Sequence, residues 1–99
     1  MTAISKYNDY IKNNAPWDSR ISDEYFEGEI MVLDDEVGGI VYLFNDGQKI
    51  DYIDKIISSI EEDINKAKNV SDKDDYNKIM FHLSTLLEIC KEIKDINSK

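Results

Sequence analysis

The sequence predicts an α+β fold with five elements in the order α-β-β-α-α. Apolar and polar residues alternate before the glycine pair at 38–39, and apolar residues recur at helical spacing through the second half of the chain. A chain of 99 residues is an ordinary size for one domain, and no Pro/Gly-rich linker divides it. We therefore expect a single domain over residues 1–99.

The first predicted element is a short helix over residues 3–13. The apolar residues that share one face of it are Ile4, Tyr7 and Ile11. Residues 15–24 follow as a connector that Trp17 anchors, with room for a third short strand about residues 19–22.

A β-hairpin is predicted next, from a strand over residues 25–33 and a second over residues 40–44. In the first strand one face holds Phe26, Gly28, Ile30 and Val32, and the other holds Tyr25, Glu27, Glu29 and Met31. Gly38 and Gly39 supply the backbone conformations that a tight reversal requires. The segment between the strands then displays three consecutive carboxylates, Asp34, Asp35 and Glu36. The second strand, IVYLF, is apolar on both faces and needs cover from another strand, a second copy or a partner.

Two long helices complete the predicted fold. The apolar stripe of the first runs through Ile53, Ile57, Ile60, Ile64 and Ala67. The stripe of the second runs through Tyr76, Ile79, Met80, Leu83, Leu86, Leu87, Cys90 and Ile93. A cap at Ser71 and Asp72, with acids in the first turn, marks where the second helix begins. The short link between the stripes predicts an antiparallel pair.

Charge is the strongest functional signal in the sequence. The chain has 21 acidic and 12 basic residues, a formal net charge of −9. Nucleic acid and anionic membrane surfaces are unfavourable ligands for such a chain, because phosphate contacts need a basic patch. A basic protein is the favoured partner, since opposite fields steer association.

No pattern in the sequence indicates catalysis, a metal or a cofactor. The single cysteine, Cys90, excludes an internal disulfide, and His82 lies eight residues before it on one predicted helix. Eight residues rise about 12 Å along a helix, which is too far for a cysteine–histidine pair. No secretion signal is evident and no apolar run approaches the roughly 20 residues of a spanning helix, so we expect a cytoplasmic, non-catalytic protein.

The candidate partner-binding residues follow from the acidic hairpin. Its acids are Glu27, Glu29, Asp34, Asp35 and Glu36, and the aromatic anchors beside them are Tyr25 and Trp17. Asp51 and Asp54 begin a second acidic strip on the middle helix, where an ordinary solvent-facing surface is the alternative explanation.

In size, acidity and the displayed acidic hairpin VLDDEVGG, the chain resembles the small immunity proteins of bacterial toxin systems, such as contact-dependent growth inhibition and colicin-type nucleases. The resemblance implies tight binding to a cationic toxin domain, often a nuclease, by occlusion of its active site or an adjacent exosite. A phage anti-defence protein that mimics DNA shares the same charge pattern. An acidic secretion chaperone, usually dimeric, and a structural subunit are further alternatives, so we expect a monomer or a homodimer.

Overall fold

Three long helices make up most of the described chain. The computed structural model describes residues 5, 7–9 and 21–97. The helices are α1 (Glu24–Asn45), α2 (Ile53–Ala67) and α3 (Lys73–Asn97). No residue in the described ranges belongs to a β-strand, so the predicted α+β class is wrong and the fold is all-α.

The structure describes only part of the two N-terminal segments for which the sequence made predictions. Residues 5 and 7–9 are helical, within the helix predicted over residues 3–13. Ile21 and Ser22, at the end of the suggested third strand, are not in a strand. Trp17 and the remainder of both segments lie outside the described residues.

The predicted hairpin is replaced by α1, which continues without a break through both predicted strands and the acidic segment between them. The buried apolar side chains of α1 are Phe26, Ile30, Leu33, Val37, Ile40 and Val41. Their spacing is that of one helical face. The alternation that suggested a strand does not match the observed burial. Gly28, Ile30 and Val32 would share one face of a strand, but Gly28 and Val32 face solvent while Ile30 is buried.

The glycine pair lies inside α1 rather than in a turn. A glycine in a helix interior costs about 1 kcal/mol relative to alanine. Val37 and Ile40, which flank the pair, are both fully buried, and burial of such a side chain contributes about 1.5–3 kcal/mol. Burial of the apolar face therefore outweighs the local preference of Gly38-Gly39 for a reversal.

Each end of α1 carries a recognisable cap. Asp23 Oδ1 accepts hydrogen bonds from the backbone N–H groups of Tyr25 (3.1 Å) and Phe26 (3.3 Å). At the other end Gly47 has φ of +80°, and the next N–H donates to the carbonyl of Leu43 at 2.9 Å. This is a Schellman ending, in which the positive φ of Gly47 lets the chain leave the helix.

Helices α2 and α3 form an antiparallel pair, at the positions of the predicted apolar stripes. Asp54 Oδ1, near the start of α2, lies 2.5 Å from Nζ of Lys94, near the end of α3. Asp72 caps α3, and its Oδ1 accepts a hydrogen bond from the N–H of Asp75 at 2.9 Å. The fully buried core side chains of the pair include Ile60, Ile79, Leu83, Leu86, Ile89, Cys90 and Ile93.

The start of α1 is tied to the start of α3. Asp75 accepts hydrogen bonds from the backbone N–H and the hydroxyl of Ser22 (3.1 and 2.5 Å) and from the N–H of Asp23 (3.1 Å). At the same end of the bundle, Lys66 of α2 donates to the hydroxyl of Tyr25 at 3.0 Å. Helix α1 therefore runs parallel to α3 and antiparallel to α2.

Candidate functional site

The charged side chains of helix α1 are all acidic. The helix carries six acidic residues, Glu24, Glu27, Glu29, Asp34, Asp35 and Glu36, and no lysine or arginine. Every lysine within residues 21–97 comes after α1, in α2, α3 or the loops beside them. The other two helices carry lysines as well as acids, so α1 is the helix of this bundle whose formal side-chain charges all have one sign.

The solvent-facing side of α1 also carries large apolar side chains. Val32 is 55% exposed, Met31 is 44% exposed and Tyr42 is 73% exposed. Large apolar side chains grouped on one exposed face, with charges around them, are typical of protein interaction surfaces. The hairpin interpretation missed this surface, although a helical period from residue 26 places all three side chains opposite the buried face.

The three consecutive acids have different environments. Asp35 and Glu36 are exposed, as a partner-binding role requires. Asp34 is only 5% exposed, so its predicted place at the tip of a displayed turn is wrong. The physical reason is the helical period, which turns Asp34 toward the bundle while its two neighbours face outward.

Burial changes the ionisation of Asp34 and of Tyr7, which packs beside it. Loss of hydration, followed by the charge of Asp35, raises the pKa of Asp34 to about 6. Its Oδ1 atom accepts no hydrogen bond from the described residues. Burial and then the nearby carboxylates of Asp34 and Asp35 raise the pKa of Tyr7 to about 12. Asp34 therefore acts inside the fold rather than as a direct contact for a partner.

Glu27 and Glu29, predicted as surface acids, are half-buried on α1. Glu29 shares a hydrogen bond with Asp63 of α2, which is 4% exposed. Burial, and next this hydrogen bond, raises the pKa of Asp63, because two neighbouring carboxyl groups favour sharing one proton. Glu29 thus joins α1 to α2, and only part of its side chain is open to a partner.

Tyr25, the predicted aromatic anchor, is half-exposed at the start of α1. Lys66 donates to its hydroxyl and also lies 5.5 Å from the centre of its ring. The cation reduces the negative field at this end of the helix. The second predicted anchor, Trp17, is outside the described residues.

The structure does not bring Asp51 and Asp54 to the acidic half of α1. Both are exposed near the start of α2, whereas the first half of α1 packs beside the end of α2. Asp54 already forms an ion pair with Lys94. The predicted site therefore divides, with Asp35 and Glu36 on α1 at one place, and Asp51 and Asp54 at or just before the start of α2 at another.

The side chains with catalytic chemistry are held in the core of α3. His82 is 2% exposed, and burial lowers the pKa of its imidazole. Cys90 is fully buried, and burial raises the pKa of its thiol to about 12, which disfavours the reactive thiolate. Within residues 5, 7–9 and 21–97, no three His, Cys, Asp or Glu side chains are arranged to hold a metal ion. Nor does this part of the chain contain a helix of the length and apolarity that a membrane span requires.

The candidate site is therefore the solvent-facing side of α1, where acidic and apolar side chains lie together. Comparison of the whole chain with protein families, with characterised proteins and with solved structures finds no match.

Proposed function

We propose that this chain is a non-catalytic binding protein that neutralises a basic protein, and specifically an immunity protein that inhibits a bacterial toxin. The observation that carries the proposal is the charge of α1, with six acids and no base beside exposed Val32 and Tyr42. The favoured partner is a cationic domain such as a nuclease, whose phosphate-binding surface is itself basic. Binding there occludes the active site or an adjacent exosite.

The mechanism has two physical steps. The field of α1 attracts the cationic partner at long range and accelerates encounter, an effect that added salt screens. Apolar contacts at Met31, Val32 and Tyr42 then hold the complex, because buried apolar and aromatic side chains supply most of the lasting affinity at interfaces. Neither step requires a metal, a cofactor or a reactive side chain.

Co-expression with the product of the neighbouring gene tests the proposal. The expected result is co-purification with a basic protein, together with survival of cells in which that protein alone is toxic. A variant with Val32→Lys and Asp35→Lys, both at exposed positions, should fold and fail to protect, whereas the control Glu61→Lys/Glu88→Lys should still protect.

Other results would contradict the proposal in distinct ways. Displacement of DNA from a nuclease without protection of cells would indicate a DNA mimic. Delivery of the partner to an export system, with no toxicity to neutralise, would indicate a secretion chaperone.

A further inference from the structure

Six residues of α1 form a continuous line along its solvent-facing side. They follow each other at alternating intervals of three and four positions, and all six are exposed: Tyr25, Gly28, Val32, Asp35, Gly39 and Tyr42. We refer to them as the α1 seam. This spacing is the heptad pattern by which one helix packs lengthwise against another, with side chains of each helix filling the gaps of its partner. In the described chain the seam faces solvent.

The two glycines make low points along the α1 seam. A β-carbon placed on Gly28 or on Gly39 would have no atom within 4 Å, so neither glycine is required by a close contact inside the fold. Both positions lie in a helix, where glycine is unfavourable by about 1 kcal/mol relative to alanine. The low points leave room for side chains of another helix between the larger Tyr25, Val32 and Tyr42.

Charge decides which helix can occupy the α1 seam. Asp35 lies at the centre of the seam, and Glu24 and Glu36 lie beside the seam. Helix α1 has no lysine or arginine that could pair with an acid. A second copy of α1 would bring its own exposed acids, Glu24, Asp35 and Glu36, against these and would be repelled. A helix with lysine or arginine beside its apolar residues would be attracted, and a cation facing Asp35 would fix its register, as polar seam positions do in coiled coils.

We propose that the α1 seam docks an amphipathic, lysine- or arginine-rich helix of the partner, with one of its cations paired to Asp35. This inference rests on the proposed function and specifies the structural element that is recognised. Val32 is the central apolar contact, and the aromatic rings of Tyr25 and Tyr42 close the two ends of the contact.

A pair of synthetic peptides tests the inference with the intact chain. One peptide carries leucines at alternating intervals of three and four and lysines elsewhere, and the other has the same composition in scrambled order. The expected result, by fluorescence anisotropy, is that the amphipathic peptide binds about tenfold more tightly or better, and gains helicity on binding.

Equal affinity for the two peptides would overturn helix docking while leaving the general acidic attraction of the proposed function in place. Absence of affinity for both would also overturn it. Protection of cells in co-expression is a separate readout, so failure of the proposed function is distinguishable from failure of this inference.

Substitution of the glycines separates binding from folding. The double variant Gly28→Gln/Gly39→Gln should raise the thermal midpoint, because glutamine is the better helix former, and weaken binding of the amphipathic peptide about tenfold. Ser58→Gln, on the exposed side of α2, is the matched control and should leave affinity unchanged. Unchanged affinity in the double variant would overturn the inference.

Two further measurements complete the test. Val32→Ser, at a half-exposed position that the fold does not need, should also weaken binding of the amphipathic peptide. Sedimentation of the chain alone should show no self-association through α1. A dimer that Gly28→Gln/Gly39→Gln dissociates would overturn the inference in favour of a second copy as the occupant.

Discussion

The hydroxyl oxygen of Tyr7 lies 2.5 Å from the position that a β-carbon on Gly38 would occupy. The ring of Tyr7 packs against the edge of the core, and its Cζ would be 3.3 Å from the same carbon. Gly38 therefore permits a close approach that no other residue allows without movement of Tyr7. The neighbouring Gly39 has open space at the same point.

This difference predicts opposite outcomes for two alanine substitutions. Gly39→Ala should stabilise the fold by up to about 1 kcal/mol, because alanine is the better helix former. Gly38→Ala should give less than this gain or a net loss, since the Tyr7 ring must shift. Urea unfolding measures both, and Tyr7→Phe in the Gly38→Ala background should recover part of the difference. Equal stabilisation by the two alanines would contradict the contact.

Asp34 predicts a pH dependence of stability. Its folded-state pKa of about 6 lies above the value of about 3.9 for an unfolded aspartate, so the folded state binds this proton more tightly. The stability that protonation contributes is complete below the unfolded pKa and is lost as pH rises through about 6. Asp34→Asn should therefore stabilise the fold by about 1–2 kcal/mol at neutral pH, after allowance for partial solvation, and by less at pH 4.

Thermal unfolding between pH 4 and pH 7 measures this effect. Asp35→Asn is the control, because it removes only the smaller of the two causes that raise the pKa of Asp34. If Asp34→Asn leaves the stability at neutral pH unchanged, the carboxylate of Asp34 is well solvated in the fold and the predicted pH dependence is wrong.

Asp75 predicts the opposite pH dependence. Hydrogen bonds from the Ser22 hydroxyl and then from the Ser22 N–H lower the pKa of Asp75. Its stabilising effect is therefore present above the unfolded pKa and is lost as pH falls through the folded pKa. Asp75→Ala should lower the thermal midpoint at neutral pH and reduce the loss of stability in acid. Asp74→Ala, one residue away and exposed, should have a smaller effect, and equal effects would mean that the Ser22 contacts contribute little.

Leu83 tests the position of the core. It is fully buried in α3, and truncation of such a side chain leaves a cavity as well as lost apolar contacts. Leu83→Ala should reduce the free energy of unfolding by roughly 2–5 kcal/mol. Ser84→Ala at the exposed neighbouring position is the control, and should change stability by less than about 0.5 kcal/mol. A loss below about 1 kcal/mol for Leu83→Ala would place the core face elsewhere.

Helices α2 and α3 could be predicted from the sequence because local and tertiary signals agree there. Ile57 and Ile60 share one apolar stripe, Leu83 lies on the other, and polar residues fill the opposite faces. Helix α1 could not be predicted in the same way. Its β-branched residues and Gly38-Gly39 favour strands and a turn locally, whereas burial against the other two helices decides the outcome.

The candidate site, like the fold, could be predicted only in part from the sequence. The acidity of the surface could be predicted from composition, and Asp35 and Glu36 are exposed in either fold. The predicted hairpin also placed Asp34 in an exposed turn. That prediction was wrong because the alternation of apolar and polar residues in a strand does not show which side of a helix a residue faces. Exposure of Val32 and Tyr42 on the same side as Asp35 follows only from the helical period of α1.

The association rate with the captured basic partner, measured as a function of salt, shows most directly whether α1 is the binding surface. The variant Asp35→Lys/Glu36→Lys changes charge on α1, and Glu61→Lys/Glu88→Lys makes the same change at exposed positions on α2 and α3. We predict that the α1 variant associates about tenfold more slowly at low salt, that the difference shrinks as salt is added, and that the control is much less affected. Equal slowing of both variants, or none in either, would contradict a binding surface on α1.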